Sequence, residues 1–417
     1  MINFRQYPNM TKCIIPNNII LTNGNFANAF TSMENLKDSQ IPAEQITDIQ
    51  HIYSNCRKLL TGSFPCGDNI TNMYNAYVLC YSLTGSPVCG ENVTDMSRAY
   101  YYCYNLTGNP ICGENVTDMT SAYSCCYNLT GSPVCGNKVI GMDTAYQYCS
   151  NLTGNPVCGD NVTSIYYTYR YCSNLTGSPV CGNNVTDMRG TYYWCTNLTS
   201  NPVCGNNITS MYETYYWCTK LTGNPVCGDK VTNMCNAYFY CKNLTGSPIC
   251  GNNVTNMCNA YYGCSNLNGN AYFYSSKVTD VNRCFYGWNT RKRLSIYVPK
   301  DSTTFNTCLT TGYSSLLGKS ITWENDNINN CYYNTSYSIY IYPVNSVREI
   351  FLTKTYNNNA SPNIYNTNQI DNTTMQPRTS WKYNGINQTI DNGYMISVPI
   401  DLMAVENVSI NKVEVNV

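Results

Sequence analysis

Cysteine is the residue with most latent chemistry in this 417-residue sequence, which carries 26 of them beside a single histidine. The cysteines alternate at gaps of 9 and 14 residues, as from Cys103 to Cys112 to Cys126. Tetrahedral zinc needs four ligands converging from tighter, paired spacings, which these gaps do not provide. Disulfides are geometrically open if the gaps mark successive coils about 4.8 Å apart. Each bonded pair would exclude the next coil, however, so a uniform ladder would have to break into pairs. Cys235 and Cys258 share an otherwise variable column and are the pair singled out for a disulfide. The alternative is a ladder of small, buried, stacked thiols.

Acid–base chemistry finds less support. His51 lies among apolar neighbours, and without a second histidine no Ser-His-Asp or Cys-His relay presents itself. Asp95, Asp118 and Asp187 recur at one column, which points to turn capping rather than to the paired carboxylates of a glycosidase. No glycine-rich phosphate or dinucleotide motif is present. The chain is therefore expected to be no enzyme and to hold no metal or cofactor.

Aromatic residues are the stronger signal. Tyr100, Tyr123, Tyr146, Tyr169, Tyr192, Tyr215, Tyr238 and Tyr261 form a uniform column, read as structural. The positions around it vary: Arg98, Tyr101, Tyr102, Tyr148, Tyr167, Arg170, Tyr171, Tyr193, Trp194, Tyr212, Tyr216, Trp217, Phe239 and Tyr240, with Tyr166 and Arg189 extending the strip. Changing identity over an unchanging frame suggests exposure, and exposed Tyr, Trp and Arg carry binding hot spots and stack on sugar rings. The competing reading is that these rings pack on one another and stiffen the molecule.

What positions them is a repeat. Leu83, Leu106, Leu129, Leu152, Leu175, Leu198, Leu221, Leu244 and Leu267 are each 23 residues apart, and weaker copies run back to Phe26 and forward to Trp288. Leu106, Ile111, Cys112, Val116, Met119, Ala122, Tyr123 and Cys126 represent columns that hardly change, as stacked interior side chains should. Gly108, Pro110 and Gly113 mark corners. Each coil is expected to hold one short strand and one short helical or 3₁₀ turn around the AYYYC stretch. About a dozen coils would extend roughly 55–60 Å. Asn-x-Thr occurs twice in many coils, at Asn92 and Asn105 for example, and is read as an Asn column bonding the backbone of the neighbouring coil. A flat ice-binding lattice is disfavoured because Thr107 is flanked by Leu106 and Gly108.

The frame Ala-aromatic-x-x-Cys-x-x-Leu, with its Pro corner and Val-Thr-x-Met/Ile step, resembles the BspA-type leucine-rich repeats of bacterial, protist and phage surface proteins. The N-terminal segments IIPNN at Ile14 and IPAEQITDI at Ile41 look closest to that family, while PVCG in the central coils replaces its usual corner. The resemblance implies an attachment or recognition solenoid and no catalytic residues.

The fold expected is thus a leucine-rich-repeat-like solenoid over residues 1–298, a capping or linker segment at 299–329, and a small all-β C-terminal domain at 330–417. Alternation in YSIYIYPV, REIFLTKTY, MISVPIDL and VSINKVEVNV supports the last of these. The C-terminal domain is expected to dock or oligomerise. With 24 basic and 24 acidic residues, bulk charge names no nucleic-acid partner, and no apolar run is long enough for membrane insertion. Residues 1–18 show no secretory signal. Together these features favour a virion attachment protein, such as a phage fibre, head decoration or receptor-binding part. Its aromatic face would meet a host surface glycan or protein, and its C-terminal domain would meet other virion proteins or sister copies. A cell-surface adhesin and a purely structural scaffold are the alternatives.

Overall fold

The computed structural model describes residues 3–21, 24–62, 66–267, 269–273 and 275–287, and beyond them the strands 294–299, 337–344, 347–354, 370–371, 376–377, 380–383 and 386–389. The chain divides into two compact units, Met1–Leu221 and Thr222–Val417.

In the first unit the solenoid begins with a parallel sheet of three short strands, β1 (Lys12–Ile14), β2 (Asp38–Gln40) and β3 (Thr61–Gly62), in the order β1-β2-β3. Beyond β3 the expected strand is absent from the described residues of this unit: its column is continued by single amides, as Thr107 to the Gly85 carbonyl, while a separate column carries parallel bridges one residue wide from Asn25↔Asp48 onward. Asp95, Asp118, Gly141, Ser164, Asp187 and Ser210 form successive parallel bridges along the Asp column. The reason is local: Asp95 accepts the amide of Ser97, and Asp118 that of Thr120, so a turn starts two residues after the bridge.

The helical or 3₁₀ turn expected at AYYYC is also absent; the described residues hold one 3₁₀ helix, at Ala43–Gln45. In its place alternate amides choose different partners. Those of Ala99, Tyr101 and Cys103 donate three residues back, to Met96, Arg98 and Tyr100. Those of Met96, Arg98, Tyr100 and Tyr102 donate forward to the next coil, at Asp118, Thr120, Ala122 and Ser124. A 3₁₀ helix would spend its amides internally. Left-handed φ angles of 54° at Arg98 and 63° at Tyr102 turn every second amide towards the neighbouring coil.

Inward columns fill the interior. Val93, Met96, Ala99, Tyr100, Cys103 and Leu106 are fully buried, and their counterparts repeat along the unit. The Tyr column stacks ring on ring from Tyr53 to Tyr215, with centroids 5.1–5.8 Å apart. Each hydroxyl from Tyr100 to Tyr215 clamps the backbone 12 residues earlier: Tyr146 donates to the Val134 carbonyl at 2.7 Å and accepts the Val134 amide at 3.1 Å. The polar phenol is thereby satisfied in a dry interior.

Gly113 is not in the left-handed region expected of a corner. A Cβ there would lie 3.0 Å from the Gly90 carbonyl oxygen and 3.1 Å from Cys89 Sγ, so it serves close approach between coils. Gly108, at φ 82°, does take the left-handed corner. The Asn columns behave as read: Asn92 donates to the Asp68 carbonyl and Asn105 to that of Tyr81, each in the preceding coil.

In the second unit the coils continue, with parallel bridges Asn233↔Asn256↔Asp280 and Tyr261 stacked between Tyr238 and Phe285. A five-stranded sheet accompanies them: β4 (Ile249–Cys250), β5 (Gly269–Phe273), β6 (Leu294–Pro299), β7 (Tyr337–Val344) and β8 (Val347–Lys354), in the order β4-β5-β6-β8-β7. The first three strands are parallel, and β6–β8 and β8–β7 are antiparallel. The last coils and the β7–β8 hairpin therefore share one sheet. Two small antiparallel pairs follow, β9 (Ile370–Asp371) with β10 (Gln376–Pro377) and β11 (Ser380–Tyr383) with β12 (Ile386–Thr389). Of the 299–329 linker, residues 300–329 lie outside the described residues, as do the MISVPIDL and VSINKVEVNV segments.

Candidate recognition site

The variable aromatics of the first unit come out along one series of turns. Three columns carry them: the first left-handed position (Arg98, Tyr167), the position after the buried Tyr (Tyr101, Arg170, Tyr193, Tyr216), and the second left-handed position (Tyr102, Tyr148, Tyr171, Trp194, Trp217). Tyr166, Arg189 and Tyr212 flank the first. Arg98 and Arg189 are exposed, Trp194 is 36% exposed, and the remaining members are half-buried.

Half-burial follows from mutual stacking. Trp194 and Trp217 lie 4.9 Å apart at 12°, Tyr193 and Tyr216 4.5 Å apart at 3°, and Tyr148 and Tyr171 4.7 Å apart at 10°. The same rings are therefore partly exposed and also packed on one another. What the structure changes is which part of a ring is offered. Stacked rings spend their faces on each other, so stacking a sugar on a Trp face is restricted to breaks in the stack.

Arginines punctuate the strip. The Arg170 guanidinium lies over the Tyr167 ring at 4.4 Å and the Tyr193 ring at 4.2 Å, with Tyr171 at 5.3 Å. Burial works against its charge, but a side-chain hydrogen bond with Tyr171 and the oxygens of Tyr167, Tyr171 and Tyr148 more than offset this and raise its pKa. Arg189 sits over Tyr166 at 4.9 Å and pairs with Asp187 at 2.6 Å; Arg98 sits over Tyr101 at 5.7 Å.

Two features escaped sequence reasoning. Tyr81, Tyr104 and Tyr127 form a neighbouring stack, at 4.9 and 5.2 Å, one residue after the buried Cys. Their column turns to Ser and Thr later on, the same variability that revealed the strip. Beneath the densest part, Thr168, Thr191 and Thr214 replace the usual Ala. Their buried hydroxyls donate to the carbonyls of Met142, Ile165 and Met188 in the preceding coil and anchor the turns carrying Arg170, Trp194 and Trp217.

In the second unit Phe239 stacks on Tyr262 at 4.5 Å, and Tyr240 lies 5.1 Å from Phe239. Cys235 and Cys258 are not joined by a disulfide in this structure; the Cys235 side chain is close enough to hydrogen-bond Cys258. The inner cysteines are hydrogen-bond donors: Cys126 Sγ donates to the Tyr100 carbonyl at 3.1 Å and Cys149 Sγ to that of Tyr123 at 3.0 Å. Burial pushes these thiols up, which keeps the donating proton in place. His51 adopts a left-handed φ of 53°, meets Tyr74 edge-on at 5.2 Å and is half-buried, which lowers its pKa.

A second surface is a shallow groove of about 690 Å³ lined by Asn92, Thr94, Asn115, Thr117 and Lys138 among others. Its donors are committed to neighbouring coils: Thr94 Oγ1 donates to the Thr71 carbonyl, Asn115 Nδ2 to that of Glu91, and Lys138 Nζ to Asn115 Oδ1. The groove is thus a hydrogen-bonded seam of the solenoid.

No family model and no curated protein matches the sequence. Two solved structures are similar to it. A protein from Bacteroides ovatus is 16% identical with a TM-score of 0.38, the match covering 66% of this chain and 84% of that one. A cell surface protein from Faecalibacterium prausnitzii is 16% identical with a TM-score of 0.33, covering 62% and 87%. The first is described as a leucine-rich repeat protein and the second as a leucine rich cell surface protein. Identity and TM-score are too low to carry anything over to this chain, whose solenoid stands on its own ladders.

Proposed function

We propose that the protein is a non-catalytic, adhesin-like attachment solenoid that recognises a surface glycan through the aromatic strip of its first unit. One observation carries the reading. Tyr102, Tyr148, Tyr171, Trp194 and Trp217 all hold left-handed φ angles of 60–64°, a region costly for bulky side chains and natural for glycine. In the second unit the corresponding positions include Gly263 and Gly287, at 71° and 78°, so the repeat tolerates glycine there. Retaining Tyr and Trp against that preference implies a use for the rings. Against catalysis, the recurring carboxylates are engaged as turn caps, and the single histidine is packed against Tyr74.

Trp194→Ala with Trp217→Ala tests this on a glycan array: loss of binding with the fold intact supports recognition, and unchanged binding overturns it. Loss of assembly instead would favour a scaffold whose strip meets sister copies. Immunogold labelling of the source culture decides the carrier, since envelope label means a cell-surface adhesin and particle label means a virion part.

A further inference from the structure

Arg170 stands in a stacking column where Tyr193 and Tyr216 carry rings, and the guanidinium extends their stack. Tyr167 and Tyr193 occupy space over it at 4.4 and 4.2 Å. Rings against the faces of a guanidinium leave its planar edge of N–H donors to make hydrogen bonds. Among the described residues no carboxylate pairs with Arg170; its hydrogen-bonding neighbour is Tyr171, and its shielded Nε has no partner. The contrast with Arg189, which is exposed and already paired to Asp187, is direct. Tyr171 answers only part of the guanidinium's donor set, and no carboxylate neutralises it, so an anion reaching the remaining N–H groups would find a charged donor edge fixed in place by the rings.

We infer that Arg170, caged by Tyr167, Tyr171 and Tyr193, is a subsite for the carboxylate of an acidic sugar, so that the strip's ligand is an anionic glycan. This rests on the attachment reading and narrows it. A planar carboxylate matches the fork in a way that a neutral hydroxyl does not. The outward side chains on either side are Gln147, Tyr171, Tyr193 and Trp194, which offer amide, O–H and N–H groups to a polyhydroxylated chain. No aliphatic side chain beside them is exposed to anchor an acidic peptide through apolar contacts.

The test is calorimetric binding of the full chain to oligogalacturonate and oligosialate, to neutral galacto-oligosaccharide of equal length, and to an oligoglutamate peptide. Wild type, Arg170→Gln, Arg170→Lys and Trp194→Ala are compared after a thermal melt confirms folding. The expected result is preference for an acidic saccharide, reduced about ten- to a hundredfold by Arg170→Gln, with weaker neutral binding unchanged. Arg170→Lys keeps the charge without the fork and should recover only part of the loss. Equal binding to acidic and neutral saccharides, or acidic binding indifferent to Arg170→Gln, overturns the inference and leaves the attachment reading standing. Preference for oligoglutamate replaces the glycan with a peptide. Binding to no saccharide, in wild type as in Trp194→Ala, sinks both.

Discussion

At the scale of single residues, the outward aromatics combine an unfavourable backbone with favourable stacking. Holding Trp194 at φ 61° costs on the order of 1 kcal/mol, while its stack on Trp217 returns about 0.5–1.5 kcal/mol. The two nearly cancel, so Trp194→Gly should leave the urea midpoint almost unchanged while binding to the strip's glycan falls. A large stability loss at unchanged binding would assign the ring to stiffening instead. The buried column behaves oppositely. Tyr146→Phe removes the hydroxyl that satisfies both the amide and the carbonyl of Val134, and should cost about 1–3 kcal/mol in urea unfolding without altering binding.

At the scale of the coil, close stacking is set by small residues where backbones nearly touch. Gly113→Ala places a methyl 3.0 Å from the Gly90 carbonyl oxygen and 3.1 Å from Cys89 Sγ, and should destabilise by about 1–3 kcal/mol through overpacking. A melting temperature equal to wild type would show that the coils can spread apart. Neighbouring coils carry most of each other's contacts, so the damage should stay local in hydrogen exchange. The thiols follow the same logic: an inner Cys donates to the carbonyl of a buried Tyr, whereas the outer Cys of each coil lies half-buried, with burial pushing Cys89 up to about 12 and Cys112 to about 11.

At the scale of the whole molecule, these buried acids add into a pH response. Cys126, Cys149, Cys172, Tyr123 and Tyr146 are all held well above their ordinary values of 9.0 and 10.0, chiefly by burial. The folded chain therefore keeps protons that the unfolded chain releases. Stability is fully present below about pH 9 and falls as pH rises, by about 1.4 kcal/mol per unit for each thiol beyond about pH 9 and for each phenol beyond about pH 10. Circular dichroism through an alkaline titration should show steep, cooperative unfolding; a signal flat through pH 11 would mean that the ladders are wetter than described.

The repeat, its period, the buried columns, the Asn zipper and the Asp turn caps were legible in the sequence, because stacking places identical side chains in identical surroundings and so writes the interior directly into a 23-residue register. The path of the backbone between them was not legible. Whether an amide at AYYYC turns three residues back or reaches the next coil depends on φ angles set by a neighbour 22 residues away, and Arg98, Tyr102 and Trp194 carry no local mark of a left-handed conformation. The same holds for the strip. Its membership showed as variation over a constant frame, but only the stacked coils decided that Trp194 and Trp217 face each other and that Arg170 is caged by rings with no carboxylate paired to it among the described residues.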